Sequence, residues 1–301
     1  VMGPWTHGAW AGSDWNKFAT HDFGSNTSKY FQDSLETMFF NFYLKDKGVF
    51  NAAEATVYET GTNRWRSFDT WPPVSVKPTE YFLRSDKKLS TNKPAEINSF
   101  DEYVSDPANP VPYTKGIFPR RNNAYMAEDQ SFAAARNDVI LFQTDTLTED
   151  VTLAGKIIAD LKVSISATDA DFIVKLIDVL PAIEPAPSFV PKETNMGGLQ
   201  RLVRAEVMRG KFRNSFSDPQ PFTVNIISAV KYELPDVMHT FKKGHRIMVQ
   251  IQSSWFPLVD RNPQKFMRIP DANDSDFQKA MIRVYHDRNN ASKIILPVLV
   301  K

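Results

Sequence analysis

The chain has 301 residues, and its 36 basic and 35 acidic side chains give a formal net charge of +1. This near-neutral balance excludes a global field that would recruit nucleic acid or an anionic membrane surface. Cysteine is absent, which excludes disulfides, thiolate metal sites and a cysteine nucleophile, and no apolar run approaches the length of a membrane span.

The first segment, VMGPWTHG (residues 1–8), predicts a constrained loop that carries an imidazole. The dipeptide Gly3-Pro4 breaks regular structure, and Gly8 adds a flexible residue directly after His7. Loops on a rigid scaffold often carry catalytic groups, and histidine is the side chain best suited to proton transfer near neutral pH. His7 is therefore the candidate general base, and the alternative is a loop histidine without a catalytic role.

The position of His7 indicates which enzymes would use it. In α/β-hydrolases the catalytic Ser, Asp or Glu, and His follow one another in that order. Here the histidine comes first, no Gly-x-Ser-x-Gly elbow follows, and the sequence begins with Val1. We therefore expect this sequence to be the C-terminal portion of a larger enzyme, with the serine and its acidic partner upstream.

Residues 26–47 predict one strongly amphipathic helix. Lys45 and Lys47 supply a basic last turn and Gly48 a stop signal. This helix is expected either to be the last helix of a catalytic domain or to pack against the β-rich sequence that follows. Its apolar side chains recur at steps of three and four residues, namely Phe31, Leu35, Met38, Phe39, Phe42 and Tyr43.

From Glu54 onward, short β-rich runs are divided by Pro, Gly, Asn and Asp. Apolar residues alternate with polar ones over 224–234 and 247–251, which predicts half-buried strands. Many strands without long helices between them predict a mainly β fold, an antiparallel sandwich of the jelly-roll type. Further strands are expected at 55–59, 80–83, 139–143, 157–166, 172–179, 199–207, 281–285 and 294–300.

Two proline-rich stretches, 71–78 and 105–121, predict long surface connections. The second is expected either to meet a missing domain or to be a plain surface excursion. The basic run 201–213 is interrupted by Glu206 and predicts a solvated strand face rather than a phosphate site. Residues 271–276 resemble a calcium loop but lack its glycine and its final glutamate, so no metal is expected there.

Several smaller predictions concern polar side chains. Ser275 and Gln278 have the spacing of a capping box. Asp169 and Asp171 flank a bend, where such residues usually bond their own backbone. Trp5 and Trp10 are expected either to line a substrate pocket or to serve as packing.

The remaining histidines carry weaker signals. His21 lies in a polar loop and predicts a surface role, and His286 receives no role. The set Asp236, His239 and His245 matches no helical metal pair. His245 is instead expected to make a structural hydrogen bond at the start of a strand.

The loop sequence GPWTHG (3–8) resembles the histidine loop of a serine hydrolase family. That family includes X-Pro dipeptidyl-peptidases, bacterial cocaine esterase, α-amino acid ester hydrolases and glutaryl-cephalosporin acylases. The resemblance runs over nearly the whole chain. Later segments resemble the C-terminal β-sandwich of the family, namely 55–61 (ATVYETG), 65–66 (WR), 71–73 (WPP), 103–112 (YVSDPANPVP), 169–172 (DADF), 244–246 (GHR) and 253–257 (SSWFP).

The resemblance implies a division of the chain. Residues 1–50 would be the remnant of an α/β-hydrolase catalytic domain, and residues 51–301 a jelly-roll β-sandwich. His7 would act as general base of a Ser-Asp-His triad on a small acyl or peptide substrate, without a cofactor or a metal. The absent N-terminal catalytic domain would be the partner of this fragment, which alone would be inactive.

The resemblance also implies contacts in a homo-oligomer and, through its acylase-like members, a periplasmic or secreted protein. Two other classes of function stay open from the sequence. One is a non-catalytic jelly-roll module that binds carbohydrate or a protein partner, since fold alone does not decide function. The other is an assembly domain whose main product is an oligomer.

Overall fold

A computed structural model describes residues 1–12 and 14–300. A short β-hairpin and a helical segment precede the β-rich body. The helices are α1 (Thr27–Phe31), α2 (Thr37–Lys45) and α3 (Ser131–Ala134), a π-helical turn (Gln32–Glu36) joins the first two, and 3₁₀ turns lie at Ala9–Ala11, Ser85–Lys87, Asn123–Met126, Gly210–Phe212, Ile269–Asp271 and Asp274–Asp276. The strands are β1 (Lys17–Phe18), β2 (His21–Asp22), β3 (Ala55–Glu59), β4 (Arg64–Phe68), β5 (Val76–Arg84), β6 (Lys88–Ser90), β7 (Phe100–Ser105), β8 (Val139–Gln143), β9 (Val151–Ile165), β10 (Asp171–Val179), β11 (Gln200–Arg209), β12 (Ser228–Phe241), β13 (Arg246–Gln252), β14 (Ala280–Tyr285) and β15 (Lys293–Leu299).

The predicted helix forms and has a side-chain cap at its start. Asn26 accepts a 3.0 Å hydrogen bond from the backbone N–H of Lys29, which satisfies one free donor of the first turn. At the other end Asp46 takes the left-handed conformation with φ 50°, and Gly48 follows at φ 76°. These two residues end α2, so the helix prediction for 26–47 is confirmed.

Strand β9 is the centre of the body. It is the longest strand and pairs with β12, β14 and β15. The large sheet runs in the order β11-β10-β13-β8-β6-β5-β15-β9-β14-β7, with β12 also on β9. The predicted mainly β sandwich preceded by a loop and a helix is confirmed. The division into domains at residue 50 stays a prediction.

The sheet folds over on itself, so strands that are far apart in its order face each other. Val174 of β10 and Leu161 of β9 lie in the same buried cluster, although five strands separate β10 from β9 in that order. Tyr232 of β12 donates a 2.9 Å hydrogen bond to the carbonyl of Phe172 in β10. Alternate residues of each layer therefore point into one shared core.

Strand β10 is buried on both faces, because the long connection after β7 covers its outer side. Ile173 packs there against Tyr113 and Trp255. Within the 105–121 stretch, 115–121 are exposed while Tyr113 is buried, so the connection is partly built into the body.

Two predictions about local structure are wrong. Strand β12 begins at Ser228, so Val224 and Ile226 lie before it and are exposed, because alternation alone does not mark where a strand enters the sheet. The capping box uses Asn273 and Asp276 rather than Ser275 and Gln278. The side chain of Asp276 accepts the backbone N–H of Asn273 at 3.0 Å, so the helical turn begins two residues earlier than predicted.

Candidate active site

The N-terminal segment attaches to the body through backbone hydrogen bonds. The N–H of Met2 donates to the carbonyl of Thr56 at 3.0 Å, and the N–H of Tyr58 donates to the carbonyl of Met2 at 2.8 Å. Met2 therefore adds a short parallel bridge at Val57 of β3. This pairing fixes the chain only a few residues before His7.

Trp5 fixes the next part of the loop. Its indole N–H donates to Oγ1 of Thr27 at 3.0 Å, and its ring packs edge-on against Phe31. The indole N–H of Trp15 donates to the carbonyl of Pro4 at 2.8 Å. A Cβ at Gly3 would lie 2.4 Å from the Trp5 ring, so only glycine fits beneath the indole.

His7 itself is exposed, at the turn directly after this anchor. Gly8 has φ 79°, a left-handed conformation that favours glycine, and the 3₁₀ turn Ala9–Ala11 begins after it. Trp10 lies edge-on to the imidazole with ring centroids 5.9 Å apart. Among the described residues, no carboxylate or serine hydroxyl hydrogen-bonds to His7. The imidazole is thus exposed on a loop whose preceding residues, Met2 and Trp5, are fixed by hydrogen bonds.

The helix after the loop leaves its apolar face uncovered. Met38 and Phe39 are 45% and 43% exposed, and Tyr43 is 59% exposed. Phe31 and Leu35, nearer the His7 loop, are half-buried. The expectation that this helix packs against the sandwich is therefore wrong for α2, which has no buried residue, whereas Tyr30 of α1 stacks on Trp65 of β4.

A cavity of about 380 Å³ lies beside the loop, between the N-terminal segment and the sandwich. Met2, Trp5 and Phe18 line one side, and Leu202 and Val237 line the other. Its volume is within the range that ligand pockets occupy.

A buried polar cluster borders this cavity. Asp178 of β10 accepts from Nδ1 of His245 at 2.7 Å and lies 3.5 Å from Nε2 of His239. Although burial alone would raise the pKa of Asp178, the two imidazoles beside its carboxylate lower it to about 2. The predicted structural hydrogen bond of His245 is confirmed. Asp236 lies apart from the cluster and accepts from the indole of Trp71 at 2.5 Å.

His21 also lines the cavity, so its predicted surface role is wrong. Strand β2 turns the imidazole inward, and burial together with the nearby charge of Arg201 and His239 lowers its pKa to about 3. Within residues 1–12 and 14–300 no group of three or more His, Cys, Asp or Glu side chains could hold a metal ion. In the same residues no helix has both the length and the apolar character to cross a membrane.

The basic run on β11 does not form the solvated face that its charges predicted. Arg201, Arg204 and Arg209 are half-buried, because described residues of the N-terminal segment face this strand across the cavity and the loop after β13 packs on it. Nε of Arg204 donates to the carbonyl of Asp236 at 2.6 Å. Arg209 pairs with Asp260 at 2.5 Å.

The remaining polar residues have structural roles. Asp169 accepts from the backbone N–H of Ala170 at 3.0 Å, as predicted for the bend. Asp171 differs, because it accepts from the side chain of Asn262 at 2.7 Å. His286, to which no role was assigned, is buried and shares a 3.0 Å hydrogen bond with Oγ of Ser99.

Sequence reasoning missed the two residues that define the polar end of the cavity. Asp178 lies in an apolar strand pattern with no motif around it. Arg201 belongs to a basic run that Glu206 interrupts, and that run was predicted to be a solvated strand face. A charged residue within an otherwise apolar strand is a signal that could have identified Asp178, since unpaired charges are rarely buried.

Comparison with known proteins places this geometry in context. The chain is 27% identical to "Cocaine esterase" of Rhodococcus sp. (strain MB1 Bresler) over 99% of its own length and 51% of that protein. An aminopeptidase from a marine sediment Thaumarchaeota archaeon superposes with a TM-score of 0.91 at 36% identity, over 99% of this chain and 48% of that chain. An α-amino acid ester hydrolase superposes with the same TM-score and identity, over 99% and 49%.

The chain thus spans about half the length of the relatives it matches. The family described as the X-Pro dipeptidyl-peptidase C-terminal non-catalytic domain matches residues 48–295, a range that excludes His7 and its loop. Because that match covers most of the chain, the chain belongs to the X-Pro dipeptidyl-peptidase C-terminal non-catalytic domain family.

Proposed function

We propose that this chain is the C-terminal half of a serine hydrolase that cleaves amide or ester bonds, with His7 as its general base. The observation that carries the proposal is the placement of His7, exposed on a loop that Trp5 fixes to the following helix. Relatives that carry the names esterase, ester hydrolase and aminopeptidase match the chain over 99% of its length, the His7 loop included.

The chemistry needs a serine nucleophile and an orienting carboxylate, and no such group of the described residues hydrogen-bonds to His7. A serine hydroxyl outside these residues attacks the carbonyl carbon of the substrate, and Nε2 of His7 accepts its proton. The imidazolium then donates that proton to the leaving amine or alcohol, and a seryl ester remains. In the second half His7 accepts a proton from water, which attacks the ester carbonyl carbon, and His7 then returns that proton to the serine oxygen as the acid product leaves. A carboxylate outside the chain would orient Nδ1 of His7.

The uncovered face of α2 supports a neighbour for this chain. Phe39, Phe42 and Tyr43 form an exposed apolar cluster on the helix that follows the His7 loop, and soluble proteins rarely leave such patches exposed. The catalytic domain that would supply the serine is the occupant we propose. One contact would then bury this surface and bring the nucleophile toward His7.

The test uses the complete protein with a nitrophenyl ester and an amino acid amide as substrates. Replacement of His7 by Ala should lower kcat by about three to six powers of ten, as removal of triad members does in other serine hydrolases. The melting temperature should stay within about 1 °C of wild type, because His7 is exposed and packs only beside Trp10. Residues 1–301 alone should show no turnover.

Two outcomes would contradict the proposal. One is a His7→Ala variant that keeps wild-type kcat. The other is turnover by residues 1–301 that depends on His7, since the chain would then hold its own nucleophile. Saturable binding of an oligosaccharide by an inactive complete protein would favour the non-catalytic binding module instead.

A further inference from the structure

The cavity between the N-terminal segment and the sandwich has an apolar half and a cationic end. Its apolar walls come from Met2, Trp5, Phe18 and Phe23 on one side and from Leu202, Val203, Val237 and Met238 on the other. Arg201, His239, His21 and His245 line its polar part together with Asp178. None of these polar residues takes part in the mechanism proposed for His7.

Asp178 does not compensate the guanidinium of Arg201 directly. Its carboxylate is directed at the imidazoles of His245 and His239, at 2.7 and 3.5 Å. No carboxylate oxygen of the described residues lies within ion-pair distance of Arg201. Burial lowers the pKa of Arg201, and the more distant Asp178 and Glu184 offset that effect only in part. The cavity therefore contains a cation whose charge lacks a contacting anion.

Within the part of the chain that the structure describes, Arg201 and His239 also lack hydrogen bonds at buried side-chain nitrogens. Among the described residues, Nε of Arg201 is buried without a hydrogen-bond partner, and Nε2 of His239 is likewise buried without a hydrogen bond, with the Asp178 carboxylate 3.5 Å away. The neighbouring arginines of β11 differ, because Arg204 donates to a carbonyl and Arg209 pairs with carboxylates. An unsatisfied buried polar group costs free energy, and a ligand that supplies the missing acceptor recovers it.

The other charged groups on the cavity wall are balanced in sign. Arg204 and Lys242 are basic, and Asp22 and Glu184 are acidic. The low pKa of His21, which burial and its cationic neighbours produce, keeps that imidazole neutral at neutral pH. Among the described residues that line the cavity, Arg201 and His239 are thus the ones with a buried side-chain nitrogen that makes no hydrogen bond.

We propose that this cavity binds a small organic carboxylate, with its oxygens at Arg201 and His239 and its hydrocarbon part against the apolar walls. A planar guanidinium is suited to bidentate contact with a carboxylate. The walls distinguish an organic acid from an inorganic anion, because phosphate has no apolar surface to bury. The cavity volume of about 380 Å³ admits a ligand of the size of benzoate.

The test is calorimetric titration of the complete protein with benzoate and, separately, with inorganic phosphate. Benzoate should bind saturably and at least tenfold more tightly than phosphate. Arg201→Met should weaken benzoate at least tenfold, because it removes the cation and keeps most of the side-chain volume. Arg283→Met is the matched control, because Arg283 is a half-buried arginine of β14 that lies outside the cavity and pairs with Glu102 of β7, and it should leave the affinity unchanged.

A second measurement does not depend on the folding of a variant. Methyl resonances of Met2, Met126 and Met238, which line the cavity, should shift on addition of benzoate, while that of Met281 outside it should not. The proposal is wrong if benzoate gives no saturable heat, if phosphate binds equally well, or if Arg201→Met and wild type bind benzoate alike. It is also wrong if the three methyl resonances stay unmoved at saturation. None of these outcomes concerns the role of His7.

Discussion

The indole N–H of Trp5 lies 3.0 Å from Oγ1 of Thr27, and this hydrogen bond ties the His7 loop to the first turn of α1. Thr27 is fully buried, and its hydroxyl in turn donates to the carbonyl of Trp15 at 2.8 Å. The loop that presents His7 is thus held by a side-chain relay through one threonine.

Thr27→Val should reduce the activity of the complete protein, because it removes that relay without changing side-chain volume. We expect kcat to fall about tenfold with little change in KM, since small displacements of a catalytic group are costly. Loss of a buried hydrogen bond should also lower the free energy of unfolding by about 1–2 kcal/mol. Steady-state kinetics and denaturant titration measure both, and Thr27→Ser should restore kcat.

The control for this variant is Thr20→Val. The hydroxyl of Thr20 is buried without a hydrogen-bond partner among the described residues, so its removal should be neutral or stabilising. An equal loss of activity in both variants would contradict a positioning role for Thr27.

Phe39→Ser should destabilise the complete protein if another part of the protein covers α2. The ring is 43% exposed here, so full coverage would add apolar burial, and we expect a loss of about 2 kcal/mol in the free energy of unfolding. Phe216→Ser is the matched control at an 83% exposed phenylalanine and should change stability by less than about 0.5 kcal/mol. Equal effects would indicate that α2 is solvated.

Gly61→Ala should destabilise the junction between β3 and β12. Gly61 has φ 90°, and a Cβ there would lie 2.1 Å from the carbonyl oxygen of Thr240. Backbone strain and overpacking together should cost about 3 kcal/mol or more, measured by denaturant titration. Gly48→Ala, at φ 76° with open space around it, should cost only about 1 kcal/mol. A smaller loss at Gly61 than at Gly48 would contradict this account.

Lys175→Met should change how stability depends on pH. Lys175 is fully buried, donates to Oε1 of Gln130 at 3.0 Å, and has its pKa lowered by burial to about 7. Between pH 7 and 10 the unfolded chain keeps a proton on this lysine that the folded protein has lost, so wild-type stability rises with pH in that window. The rise from this group is about 3 kcal/mol, and the variant should lack it.

The free energy of unfolding of Lys175→Met should therefore exceed that of wild type most near pH 7. This difference should disappear toward pH 10, where only the cost of losing the hydrogen bond to Gln130 is left. Denaturant titrations at several pH values measure the difference. Lys156→Met is the control, because Lys156 is an exposed lysine paired with Glu233 and should give curves parallel to wild type. Parallel curves for Lys175→Met would contradict the lowered pKa.

The sequence by itself determined the elements whose signals are local. Short β-rich runs between Pro, Gly, Asn and Asp located β3 and β8 at their observed bounds, and the three- and four-residue spacing of Phe31 to Tyr43 located the helix. The composition of residues 3–8 identified the His7 loop, because Gly-Pro breaks and aromatic anchors act within a few residues. None of these required knowledge of distant contacts.

Only the tertiary structure decided which side chains meet. Asp178 and His245 are 67 positions apart and come together because β10 and β13 are neighbours in the sheet. Arg201 is half-buried at a cavity that it shares with Trp5 and His21 of the N-terminal segment, and His21 is turned toward that same cavity. The pattern of charges along a strand does not show which of its faces another segment will cover. That face is decided by how the sheet folds and by where the N-terminal segment packs.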